Sequence, residues 1–165
     1  MSDLLSDIVE NSASVELLID TNLLLLYFVG AYDPSAIPRF KRTQQFLPVD
    51  HATLIRVMDR FAAVVTTPHI LTEVSNLLGQ LSGAVRNECF SRFGAAIPMF
   101  RESYEPSVAL APHSAFQRLG LTDVAILAEA VRKCVVLTDD VMLYSFLSNA
   151  GRPVLNFNHI RAINW

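Results

Sequence analysis

The chain is short of sulfur, of charge and of long apolar runs, and each shortage argues against a class of protein. It has two cysteines, Cys89 and Cys134, and no Cys-x-x-Cys pair. A zinc or dithiol redox motif is therefore not expected, and two buried, reduced thiols in a cytoplasmic protein are. The longest apolar stretch, residues 23–31, is too short to cross a bilayer. Residues 1–11 are acidic and carry no basic region before an apolar run, so no secretory signal is expected. A glycine-rich phosphate loop, a nucleophile elbow, a Ser-His-Asp order and paired histidine ligands are all missing. His51, His69, His113 and His159 are read as structural, with His69 notable for lying one helical turn before Glu73. Charged residues make up 18% of the chain, and 13 basic against 16 acidic residues leave a net charge of −3. That argues against a generic electrostatic binder of nucleic acid. It leaves room for a metal-dependent enzyme, because bound cations offset acidic side chains.

What the chain does have is apolar residues, 52% of 165. Two explanations stand side by side. A parallel sheet covered on both faces has strands that read as continuous apolar runs, and a homodimer buries apolar surface between copies. The length suits one domain, residues 1–165, with residues 1–14 as a short helix or frayed extension.

Strands are predicted at residues 16–19, 64–66, 134–137 and 153–157, and helices between them. The predicted helices run over 22–29, 39–46, 50–61 with Asp50 as N-cap, 68–80, 82–102, 110–119 ending at Gly120, 122–133 capped by Thr122, and 139–150. Residues 158–165 read as a short helix or turn. Residues 32–38 read as a loop around Asp33-Pro34 and Pro38. The alternation predicts a three-layer α/β/α fold around a central, mainly parallel sheet of four to five strands. In such sheets ligands bind beyond the carboxyl ends of the strands.

Acidic residues stand at those ends. Asp20 closes the first strand, and Asp139 and Asp140 close the third. Glu73 lies on the helix after the second strand, and its neighbours Val74, Leu77 and Leu78 suggest a core-facing segment. Asp123 opens a later helix. Carboxylates from separate elements suit Mg²⁺ or Mn²⁺, which prefer oxygen ligands, and two such ions can clamp the oxygens of phosphoryl transfer. Asn22 and Thr138 are placed to orient the acids. Each aspartate has a plainer use as a helix cap or a partner of a helix dipole.

In order along the chain these residues resemble the PIN-domain nucleases. An apolar strand ends in Asp20-Thr21-Asn22, Thr72-Glu73-Val74 follows on a helix, Leu121-Thr122-Asp123-Val124-Ala125 opens another, and Leu137-Thr138-Asp139-Asp140 ends a later strand. The likeness spans residues 17–157. It implies an endoribonuclease using Mg²⁺ or Mn²⁺, with Asp20, Glu73, Asp123 and Asp140 as catalytic, metal-holding acids and Asp139 as a further metal-ligand candidate. It also implies an RNA substrate, a homodimer and, for toxin-like members, an antitoxin partner. The segments 31–48 and 83–112 are longer than in the compact toxins.

Arg39, Lys41 and Arg42 are the densest basic group, a candidate RNA contact or a solvated face. Phe40 and Phe46 beside them are read as core rather than as base-stacking rings. Residues 141–147 read as core or dimer surface. Two other functions fit the same acids: a non-catalytic binding scaffold of this fold, and a metal-dependent hydrolase of small phosphate esters.

Overall fold

The computed structural model describes residues 12–130 and 134–163. Most of the expected N-terminal extension, the last turn of the helix expected to reach 133, and the end of the tail lie outside the described residues. Ser12–Ser14 forms a single 3-10 turn.

The first strand, β1 (Glu16–Ile19), leads directly into α1 (Thr21–Tyr32). A 3-10 stretch at Pro34–Arg39 precedes α2 (Pro48–Met58). Strand β2 (Ala63–Thr66) runs into α3 (Pro68–Leu78) and then α4 (Gly83–Ala96). A second 3-10 turn, Ile97–Met99, precedes β3 (Arg101–Glu102). After α5 (Ser107–Leu110) and α6 (Phe116–Ala130) come β4 (Val135–Thr138), α7 (Val141–Asn149), β5 (Val154–Asn156) and α8 (Phe157–Ala162).

The five strands form one parallel sheet in the order β3-β2-β1-β4-β5. Leu18 pairs with Val65 on one side and Val136 on the other. The fold is therefore the expected α/β class with helices over both faces of the sheet. Chain connections move outward from β1 through β2 to β3, then return to β4 and move the opposite way to β5. Right-handed crossovers place the helices of those two halves on opposite faces. The order reverses between β1 and β4, and this reversal opens a crevice at the carboxyl ends of those strands.

Burial explains the central position of β1 and α1. Leu17, Leu18, Ile19 and the run Leu23–Leu26 are fully buried, as are Val136 and Leu137. A helix apolar on nearly every side belongs inside. Gly30 permits a close approach of α2: a Cβ there would lie 2.3 Å from the His51 ring.

Several expected elements are corrected. No helix forms over 39–46. Thr43 instead donates its hydroxyl to the Ile37 carbonyl at 2.8 Å, a local bond that competes with helix formation. The N-cap of α2 is Leu47, not Asp50, with Pro48 in the first turn; Asp50 sits at the third position and accepts from the Leu47 N–H at 2.7 Å. The expected helix 82–102 stops at Ala96, and Arg101–Glu102 is an unanticipated edge strand. The expected helix 110–119 is a turn followed by a helix starting at Phe116, because Pro112 cannot donate its missing N–H. Gly120 interrupts that helix at φ 83°, ψ 179°, a region open almost only to glycine. The break thus lies at Gly120 and Thr122 is not the cap. Helix α7 starts at Val141 rather than at Asp139.

Candidate functional site

Asp20 sits where β1 ends and α1 begins. Its carboxylate accepts from the Leu23 N–H at 3.0 Å, from the Asp139 N–H at 3.2 Å and from the Thr138 hydroxyl. It caps the helix, as the plainer reading held, and is also tied across to β4. Asp140 caps α7, accepting from Met142 and Leu143 N–H groups at 2.6 and 2.9 Å. Its own N–H donates to Thr138 Oγ1 at 2.9 Å. Thr138, fully buried, thus sets the spacing of both acids.

Glu73 is exposed rather than core-facing; Val74 and Leu78 take the buried face of α3. One Glu73 oxygen accepts the Thr21 hydroxyl at 3.1 Å. Asp123 follows the Gly120 break and is partly buried. Asp20, Glu73, Asp123 and Asp140 all line one cleft of about 340 Å³, together with Thr21, Asn22 and residues 119–122. The sheet topology has brought together four acids separated by up to 120 positions in sequence.

Asp139 does not line this cleft. It lies behind Asp20, where Asn22 donates to its carboxylate at 3.2 Å and Asn158 donates to its carbonyl at 2.9 Å. Gln45 also bonds its side chain. The long segment 31–48 therefore reaches the rim of the site. Sequence reading missed Thr21, Gln45 and Asn158. Thr21 stands between two flagged residues and was open to discovery; Gln45 and Asn158 carry no local signal.

The electrostatics are one-sided. No lysine or arginine lines the cleft among the described residues. Burial, and then the charge of Asp139, hold Asp20 well above the usual carboxylate range despite its three hydrogen bonds. Asp123 is pushed up to about 7 by burial, then by Asp140 and Glu73. Asp139 is also raised, chiefly by burial, against the lowering effect of Asn22 and Gln45. Such a donor set, all oxygen and short of compensating charge, fits a hard divalent cation.

The acids are spread along the cleft rather than gathered into a cage. Among the described residues, no three acidic, histidine or cysteine side chains stand close enough to hold one metal ion. Mg²⁺ tolerates this arrangement, since it keeps several waters and uses one or two carboxylates with substrate phosphate.

The remaining candidates lie elsewhere. Arg39 donates to Asp33 at 3.1 Å and Ser35 at 2.8 Å, Arg42 donates to Gln80 at 3.0 Å, and Lys41 is exposed; none lines the cleft. Phe46 is fully buried and Phe40 packs on the core. His51 contacts the Tyr27 carbonyl oxygen at 3.2 Å, and His69 contacts the Ser107 hydroxyl at 3.3 Å, outside the cleft. Both cysteines are buried and free. Among the described residues, no helix is long and apolar enough to cross a membrane. No protein-family model matches the chain, and no curated protein matches it.

Proposed function

We propose that the chain is a metal-dependent endoribonuclease of the PIN-domain kind, hydrolysing RNA phosphodiester bonds with Mg²⁺ or Mn²⁺. One observation carries this reading: Asp20, Glu73, Asp123 and Asp140 line a single cleft at the sheet's switch point, with no basic side chain in its lining among the described residues. Carboxylates lining one cleft without a counter-charge attract cations from solvent. Divalent ions bound there would supply positive charge at the scissile phosphate and its leaving oxygen.

The chain's own residues prepare the acids. Thr138 and the Leu23 N–H fix the Asp20 carboxylate, Thr21 steadies Glu73, and the first turn of α7 fixes Asp140. The break at Gly120 starts a new helical segment just before Asp123 and so sets its direction into the cleft. Ligands held this way lose little freedom when a cation and a phosphate arrive. Water then attacks phosphorus in line and gives up a proton to solvent, while the P–O bond on the opposite side breaks and the leaving oxygen takes up a proton.

The same reading carries a cytoplasmic setting, an RNA substrate, a homodimer and, in the toxin role, an antitoxin protein. Exposed Met99, Tyr104 and Val108, at 81, 65 and 80%, support a contact between copies.

The test is cleavage of structured and unstructured RNA with Mg²⁺ or Mn²⁺, using Asp20→Asn as control. Asparagine keeps the helix cap, so the fold survives while the charge is lost. A fall of about 100-fold or more is expected; cleavage at the wild-type rate would refute the assignment. The second reading is a non-catalytic scaffold, favoured by the lack of a three-ligand group among the described residues. A scaffold shows no change in melting temperature on titration with Mn²⁺.

A further inference from the structure

The acid cleft adjoins a larger open groove, about 790 Å³ against about 340 Å³. The two share Asp140. The backbone also passes directly between them, since Arg118 lines the groove while Leu119 and the next four residues line the cleft.

The groove combines an apolar surface with one basic side chain, Arg118, and meets the acid cleft at Asp140. Val141 and Met142, on the solvent face of α7, are 66 and 47% exposed, while Leu143 and Leu147 on the same helix are buried. Exposed apolar side chains at the mouth of a polar site are not required by the core. In the same lining, the Arg118 guanidinium stands 5.1 Å from the centroid of the Phe146 ring. Arg118 is exposed, and among the described residues it has no carboxylate partner. A guanidinium stacked on an aromatic ring offers a planar face for a base and a fork of N–H donors for a phosphate.

A ligand suited to this lining carries flat apolar groups on a negative backbone. In a duplex the base faces are stacked away from such a surface; in a single strand they are free. We propose that the groove seats the single-stranded nucleic-acid segment flanking the scissile phosphate, with one phosphate on the Arg118 fork and an unstacked base on the exposed Met142 surface beside it. This rests on the nuclease reading of the acid cleft. Charge complementarity at Arg118 and continuity with the cleft through Asp140 favour this occupant over a protein segment.

Steady-state cleavage of a short labelled single-stranded RNA tests it, with Arg118→Ala, Arg118→Lys and Met142→Glu beside the wild type. Arg118→Ala is expected to raise KM about 10-fold with kcat near wild type, and to flatten the salt dependence of kcat/KM by about 0.7 in log–log slope, the effect of one lost phosphate contact. Arg118→Lys keeps the charge without the plane and falls between the two. Met142→Glu raises KM through the base-facing surface. The Mn²⁺-induced rise in melting temperature is unchanged in the two Arg118 variants, since the acids and their surroundings remain in place. Unchanged KM in Arg118→Ala and Met142→Glu, in a wild type that cleaves, overturns the groove assignment alone. A wild type without metal-dependent cleavage sinks the nuclease reading and the strand placement with it. A Met142→Glu protein that dissociates from dimer to monomer with unchanged KM assigns the groove to a second copy and also overturns the proposal.

Discussion

Two groups of carboxylates lie on this sheet, and they are built in opposite ways. Glu129, 3% exposed, accepts from Arg101 at 2.8 Å and from the Ser103 hydroxyl, while Arg101 also donates to Glu16 at 2.6 Å. That cluster joins β1, β3 and α6 and brings its own cation. In the acid cleft, Asp20 is as well buried as Glu129, and its partners are hydroxyl and backbone groups without positive charge. Burial of an uncompensated carboxylate is costly. The first group carries its own counter-charge, and the second has none among the described residues that line it.

The sharpest way to break the comparison is to take the cation from the balanced group. Arg101→Met removes a charged partner from buried Glu129 and is expected to destabilise the protein by about 3 kcal/mol, less than for a fully buried pair because Arg101 is partly exposed. Urea unfolding measures it; a loss below about 0.5 kcal/mol would make the two groups equivalent. Next in size is metal addition at neutral pH. Mn²⁺ at about a hundred times its dissociation constant is expected to stabilise the wild type by about 2.7 kcal/mol. The effect should disappear in Asp123→Asn, and calorimetric melts with and without Mn²⁺ read it.

The third prediction is a pH dependence. Asp123 titrates at about 7 in the folded chain, against about 3.9 in an unfolded one. Its protonated form is thus favoured by folding. The resulting stability is complete below pH about 4 and is lost as pH rises through about 7. Asp123 alone should therefore cost the metal-free wild type on the order of 1 kcal/mol between pH 5 and 8, after allowance for its partial exposure, on top of a slope of the same sign from buried Asp20. Asp123→Asn should remove its own share of that slope, and melting temperatures across the range give the comparison. Metal affinity should run the other way and tighten as pH rises, because protons and cations compete for the same oxygens. The smallest effect expected is that of Thr21→Val, which removes one partly buried hydrogen bond to Glu73 and costs about 0.5–1 kcal/mol, again by urea unfolding.

The acid cleft was more legible in the sequence than much of the scaffold around it. An apolar strand that stops at an aspartate announces both the strand and its carboxyl end, so β1 with Asp20 and β4 with Asp140 were readable from local pattern. Strand β3 was not. It is two exposed residues long, and Arg101 is held by Glu16 and Glu129, which lie 85 and 28 positions away. Glu73 was found from its place on the helix after the second strand; the core-facing segment expected around it failed for the acid itself, because the helix turned Val74 and Leu78 inward and Glu73 outward. Segment 39–46 looked helical in composition, while the hydroxyl of Thr43 captured a backbone carbonyl and bent the chain. Arg118 and Phe146 are 28 positions apart, and nothing local in either hints that they stack.

Gly120 makes the cleft vulnerable without contributing a single ligand to it. A methyl group added there would meet no atom within 4 Å, so crowding is no obstacle; the obstacle is a φ of +83°. An alanine at this position would force the backbone towards another twist and re-aim the segment that presents Asp123. The resulting protein would keep its full complement of acids and its core, yet hold one of them at the wrong angle.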